Sequence, residues 1–154
     1  MDPLDALLPT TTTSVAETVA LGREVGAALQ PGDVVALDGD LGAGKTHLAK
    51  GIVAGLGGDA DAVTSPTFVL VQEHATDPPV RHLDLYRLDT EHALDSIGLD
   101  EMLADVEAVT LVEWPERAPG RIPPGAIRLR LRHGGGDVRH VERASGGGGT
   151  APVA

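Results

Sequence analysis

The sequence predicts an α/β fold in a single domain, on three observations. Two continuous apolar runs, "DVVALDG" (33–39) and "AVTLVEW" (108–114), read as strands buried on both faces. The first runs directly into a glycine-rich turn and then a helical period, the strand–loop–helix order of a sheet that carries helices. Farther on, "AIRLRLR" (126–132) alternates apolar with charged residues, which predicts a half-buried strand in an antiparallel extension.

In order along the chain, residues 1–13 are expected to be a flexible lead-in to one domain spanning 1–144. Ser14 and Glu17 match a capping box, and Leu21, Val25, Ala28 and Leu29 continue at helical spacing until "QPGD" stops the helix. After the strand at 33–39, Leu48, Ile52 and Leu56 step by four from Lys45 onward, and Gly57-Gly58 close that helix. "TFVLVQEH" (67–74) and "PPVRHLDLYRL" (78–88) read as strands of a hairpin across "ATDPP", the second with Val80, His82, Asp84 and Tyr86 on one side. "TEHALDSIGLDEMLAD" (90–105) reads as helix with a glycine interruption. "DVRHVERA" is expected to return along 126–132 through "HGGGD". The glycine-rich 145–154 cannot form a packed core and is expected to be disordered.

Composition excludes several classes of function. The chain has 154 residues and no cysteine, which removes disulfides, thiolate nucleophiles and cysteine-based zinc sites together. Aromatic residues are 2% of the chain, so the core must be aliphatic. The start lacks the basic residues of a secretory signal, and no apolar run reaches the roughly 20 residues of a membrane span, so the expectation is a cytoplasmic protein without membrane contact. A net charge of -11 opposes non-specific binding to duplex nucleic acid, and no DNA partner is expected. Seven of the twelve basic residues nevertheless fall between 117 and 143, opposed there only by Asp137 and Glu142. Within that segment the comb Arg128, Arg130 and Arg132 is either a solvated strand face or a docking surface for a negative partner.

The chemistry concentrates at "GDLGAGKT". Gly39 to Thr46 satisfies G-x-x-x-x-G-K-[ST] between a strand and a helix, the context that makes a phosphate-binding loop credible. Gly39, Asp40, Leu41, Gly42, Ala43 and Gly44 would turn backbone N–H groups around phosphate oxygens, with the N–H of His47 following at the helix start. Lys45 would reach the terminal phosphates, and the Thr46 hydroxyl would ligate Mg²⁺. A carboxylate must stand near that metal. Asp84 and Glu113 both qualify, and either can hold Mg²⁺ through water or orient an attacking water. Thr67 in "SPT" is either a switch-like threonine at the γ-phosphate or part of a plain turn. Trp114 is either a core plug or a stacking surface, and His82 reads as an ordinary strand histidine; the six histidines lack metal-ligand spacing. The chain has no asparagine and no TKxD, so the usual guanine-reading motif is missing and ATP is favoured.

Taken in order, "GDLGAGKT", "VTSPTF" (63–68), "HLDLYR" (82–87), "GLDE" (98–101) and "LVEWPER" (111–117) resemble the TsaE (formerly YjeE) family over roughly residues 14–132. The resemblance implies a three-layer α/β/α P-loop fold with a mixed, mostly parallel sheet and a C-terminal antiparallel extension. It implies a Mg²⁺-dependent ATPase that works with TsaD and TsaB in forming threonylcarbamoyladenosine at position 37 of tRNAs reading ANN codons, with tRNA contact indirect through the complex. By the same resemblance Lys45 and Thr46 take the loop roles, Thr67 lies in a switch-like segment, Asp84 is the Walker-B-like acid, Glu113 lies in the metal site, Trp114 is close to the nucleotide, and Glu17 and Thr18 border the adenine. Two positions depart from it: His47 replaces a second threonine, and Met102-Leu103 replaces an aromatic pair. The alternatives are a small-molecule P-loop kinase, for which Arg117 and Arg121 offer only a thin lid, and a nucleotide-binding module without hydrolysis.

Overall fold

The computed structural model describes residues 2–40, 42–63 and 71–144. The expectations for Leu41, for the "SPT" segment with Thr67, and for the 145–154 tail lie outside these residues. The order of elements is α1 (Pro3–Leu7), β1 (Thr10–Thr12), α2 (Val15–Ala27), β2 (Val34–Asp38), α3 (Lys45–Gly55), β3 (Val71–His74), β4 (Val80–Asp84), α4 (Glu91–Ser96), α5 (Leu99–Leu103), β5 (Val109–Glu113), β6 (Ile127–His133) and β7 (Arg139–Arg143). Short 3₁₀ turns lie at Ala60–Ala62 and Pro115–Arg117.

Local signals start and stop these elements as expected. Ser14 Oγ accepts from Glu17 N–H while Glu17 Oε1 accepts from Thr13 N–H, so α2 opens on a reciprocal cap. The predicted helix at 90–105 is two short helices, because Gly98 adopts φ +72° and turns the chain between them.

All seven strands form one sheet in the order β1-β7-β6-β2-β5-β4-β3. The four central strands run parallel, and β3, β7 and β1 are added antiparallel at the edges. The sheet is mixed, with the expected antiparallel extension at its C-terminal side; among the described residues three strand pairs are parallel and three antiparallel. The β3–β4 and β6–β7 contacts are hairpins, which can only be antiparallel, whereas β1 reaches β7 from the other end of the chain.

Residues 2–13, within the expected flexible lead-in, pack on the domain. Leu4 and Leu8 are buried, β1 pairs with β7 from Thr10 opposite Val141 to Thr12 opposite Arg139, and Arg143 bonds Asp2. The strand covers what would otherwise be an open sheet edge. Three threonines carry too little pattern to announce it.

Helices lie on both faces of the sheet. Leu21 and Val25 of α2 and Leu48 and Ile52 of α3 pack on Val35, Leu37, Val109 and Leu111. Leu94, Leu99 and Leu103 of α4 and α5 pack on Leu83, Leu85 and Val112 of the opposite face. α2 and α3 meet through glycines: a Cβ on Gly51 would lie 2.1 Å from Val19 O, and one on Gly26 would lie 2.4 Å from Ile52 O. This close approach seats α3 and so fixes where its first turn points. The carboxyl ends of β2, β5 and β4 then lie side by side, with Leu37 opposite Glu113 and Glu113 opposite Asp84. In open α/β sheets that edge is where ligands bind.

Candidate functional site

The site is built on the loop from β2 to α3. Gly42 and Gly44 hold φ of +79° and +96°, and Gly44 is the N-cap of α3 with no side chain to bond the first turn. The leading N–H groups of a helix have no intrahelical acceptor, and no side chain of the N-cap takes them here. Gly39 is required for a different reason, since a Cβ there would lie 2.9 Å from Leu131 O.

Lys45, the first residue of α3, is only 6% exposed, and its Nζ has no hydrogen-bond partner among the described residues. The ammonium rests 3.8 Å from the centroid of the Trp114 ring. A cation–π contact contributes about 0.5–2 kcal/mol, but it satisfies none of the three N–H donors of a buried ammonium, which is costly to leave so. The arrangement is suited to an anion. Trp114 follows β5 directly and adopts φ 58°, the only positive φ among the described non-glycine residues. That backbone turn swings its ring over Lys45 and against Tyr86, with ring centroids 4.8 Å apart.

Two carboxylates end the neighbouring strands. Glu113, 4% exposed, accepts a hydrogen bond from His82 Nε2 to its Oε2 at 2.5 Å. Asp84, half-buried, accepts from Tyr86 N–H at 2.8 Å. Burial pushes the Asp84 carboxyl above its ordinary value, and the nearby Glu113 charge adds to the rise, against the Tyr86 hydrogen bond and the positive charge of Lys45. Asp38, at the end of β2, is raised by burial and by Glu116, against Arg128, Arg130 and Lys45. Lys45 thus acts electrostatically on both aspartates. Among the described residues no three His, Asp or Glu side chains converge as a metal cluster.

Of the residues singled out from sequence, Gly39, Asp40, Gly42, Ala43, Gly44, Lys45, Thr46 and His47 form the loop and first turn, and Trp114, Asp84 and Glu113 close on them from β4 and β5. Glu17 and Thr18 lie in the first turn of α2. Glu17 caps α2, and Thr18 Oγ1 bonds Thr12 Oγ1 at 2.6 Å, which ties α2 to β1. Arg130 and Arg132 are exposed and face Glu142 at 3.9 Å and 3.5 Å, the arrangement of a solvated strand face.

Two further residues join the site without having been singled out for it. His82 holds Glu113, and the signal was its place two residues before Asp84 on the same strand face. Arg139 of β7 donates from Nη2 to Gly42 O at 2.9 Å, and its side chain covers Gly44. Ninety-seven residues separate the bonded pair, so only the sheet topology joins them.

Comparison with known proteins gives one family. The family model described as "Threonylcarbamoyl adenosine biosynthesis protein TsaE" matches residues 12–141. A Bacillus subtilis (strain 168) protein named tRNA threonylcarbamoyladenosine biosynthesis protein TsaE is 37% identical over 126 residues, covering 81% of this chain and 77% of that protein. A Streptomyces coelicolor protein of the same name is 42% identical over 129 residues, covering 79% and 85%. Among solved structures, the crystal structure of Bacillus subtilis YdiB superposes with a TM-score of 0.71 at 33% identity, covering 87% of this chain and 82% of that one.

Proposed function

The chain belongs to the TsaE family of threonylcarbamoyladenosine biosynthesis proteins, and from that premise we propose that it binds ATP with Mg²⁺ on the glycine loop and hydrolyses it as the accessory ATPase of the complex that modifies adenosine 37 of tRNAs reading ANN codons. TsaD and TsaB are the proposed partners. The observation that carries the reading is the buried Lys45 ammonium at the start of α3, which has no hydrogen-bond partner among the described residues, beside a first turn that no side chain caps. Triphosphate oxygens fit both vacant donor sets at once.

The donor chemistry fits Mg²⁺ as well. Thr46, Asp84 and Glu113 offer hard oxygens, and Mg²⁺ accepts one or two protein carboxylates with substrate phosphates and water completing its shell. When bound, the ion supplies neutralisation of charge on the β- and γ-phosphate oxygens. Lys45 adds a point charge at the same oxygens, and the first turn of α3 adds directed N–H donors. Asp84 is half-buried, so solvent reaches it; Glu113 is shut inside the sheet edge. Trp114 covers the lysine and narrows the approach of bulk water to it.

Hydrolysis of ATP by the purified protein, measured alone and with TsaD and TsaB, tests the proposal. Weak turnover that rises on adding both partners is expected. Phosphorylation of a metabolite in their absence would make the chain a kinase instead.

A further inference from the structure

His82 lies in the middle of β4, fully buried. Its Nε2 stands 2.5 Å from Glu113 Oε2. An ionised carboxylate has no proton to give, so Nε2 carries the hydrogen and donates it. The other ring nitrogen, Nδ1, is buried without a hydrogen-bond partner among the described residues. Packing alone does not account for such a residue. Val80, Val109 and Leu111 on the same face are apolar, and a leucine among them would leave no nitrogen desolvated. The register shows what the ring reaches for. His82 is opposite Leu111 and Asp84 is opposite Glu113, so the imidazole crosses one diagonal of the ladder to the last residue of β5.

We infer that His82 is a positioning residue for Glu113. Donation to Oε2 fixes the carboxylate plane and commits one oxygen, leaving Oε1 as the oxygen that Glu113 offers to Mg²⁺. The inference rests on the nucleotide and metal reading above and adds to it the side chain that sets the geometry of one ligand. Donors that orient a metal-binding side chain in this way are worth about 10- to 100-fold in metal affinity.

The experiment titrates Mg²⁺ into the protein with ADP, reading the fluorescence of Trp114, the sole tryptophan, and measures ADP affinity in EDTA in parallel. For His82→Leu the Mg²⁺ requirement rises about 10- to 100-fold, while ADP affinity in EDTA stays within about twofold of wild type. His82→Gln, which keeps a donor nitrogen near the Nε2 position, restores the requirement. Should the leucine variant not fold, His82→Asn, whose shorter amide falls short of Glu113, takes its place as the defective variant. In a Glu113→Ala background the His82 substitution has no further effect on the Mg²⁺ requirement. A normal requirement in the defective variant, equal defects in the Gln and Asn variants, or equal loss of ADP affinity with and without Mg²⁺ each overturns the inference alone. Wild-type protein that binds no ADP overturns the nucleotide reading, and wild-type protein that binds ADP without regard to Mg²⁺ overturns the metal reading; either takes the inference with it.

Discussion

Replacing Gly51 by alanine sets two physical effects against each other with opposite signs. Alanine is the better helix former by about 1 kcal/mol in a helix interior, so propensity alone makes the variant more stable. The added Cβ, however, would sit 2.1 Å from Val19 O, where real Cβ contacts stay beyond 3.0 Å. The obstacle is a backbone carbonyl and cannot rotate away, so α2 and α3 must part by nearly an ångström along a seam that also holds Gly22, Gly26 and Gly55. Overpacking of this kind costs about 1–3 kcal/mol and occasionally more. With several glycines sharing the contact the upper end applies, leaving a net loss of about 2 kcal/mol. At about 2–4 °C per kcal/mol for a chain this size, the Tm falls by about 4–8 °C. Calorimetry or urea unfolding followed by tryptophan fluorescence measures it. A Tm equal to or above wild type would show that the two helices do not meet as described, and with it the account of how α3 is seated would fail.

Two further outcomes follow from the site. Asp38→Asn is expected to stabilise the nucleotide-free protein at neutral pH. The folded state holds this carboxyl above its ordinary value, so it binds a proton more readily folded than unfolded, and its ionisation costs stability as pH rises through that raised value. The gain should therefore be full at neutral pH and vanish below the ordinary carboxylate range, where both states are protonated; urea unfolding at several pH values checks it, and a gain independent of pH would count against burial as the cause. Glu113→Ala is expected to lower partner-stimulated turnover by about 10-fold or more while changing ATP affinity less. Steady-state kinetics beside direct binding separates the two effects, and normal turnover would remove Glu113 from the mechanism.

Much of this architecture is legible in the sequence because it is local. The capping box at Ser14, the apolar runs that become β2 and β5, and the glycine loop before Lys45 each depend on residues within a few positions of one another. The alternation that makes β6 and β7 a hairpin is equally local. What could not be read is set by register and topology. Lys45 meets Trp114 because β5 lies beside β2 and because Trp114 takes a left-handed turn; neither is written in "LVEW". His82 is two residues from Asp84 in sequence, yet its partner is Glu113 on another strand, and a buried histidine looks like an ordinary strand residue until that strand is placed. Arg139 reaches Gly42 from the far hairpin for the same reason. The edge strand β1 escaped notice because three threonines have no apolar pattern, and its existence depends on the open edge of β7. The balance of parallel and antiparallel pairing likewise depends on which strands become neighbours.

The Lys45 ammonium, buried and without a hydrogen-bond partner among the described residues, is the proposed countercharge for nucleotide phosphates. Isothermal titration of Mg-ATP into the isolated wild-type protein and into Lys45→Ala tests it most directly. A hydrogen bond to a charged group contributes about 1.5–3 kcal/mol, so loss of the ammonium should weaken binding by at least about 10-fold and up to about 100-fold. Binding by wild type with that loss in the variant is the expected result; equal affinity of the two proteins would contradict the claim.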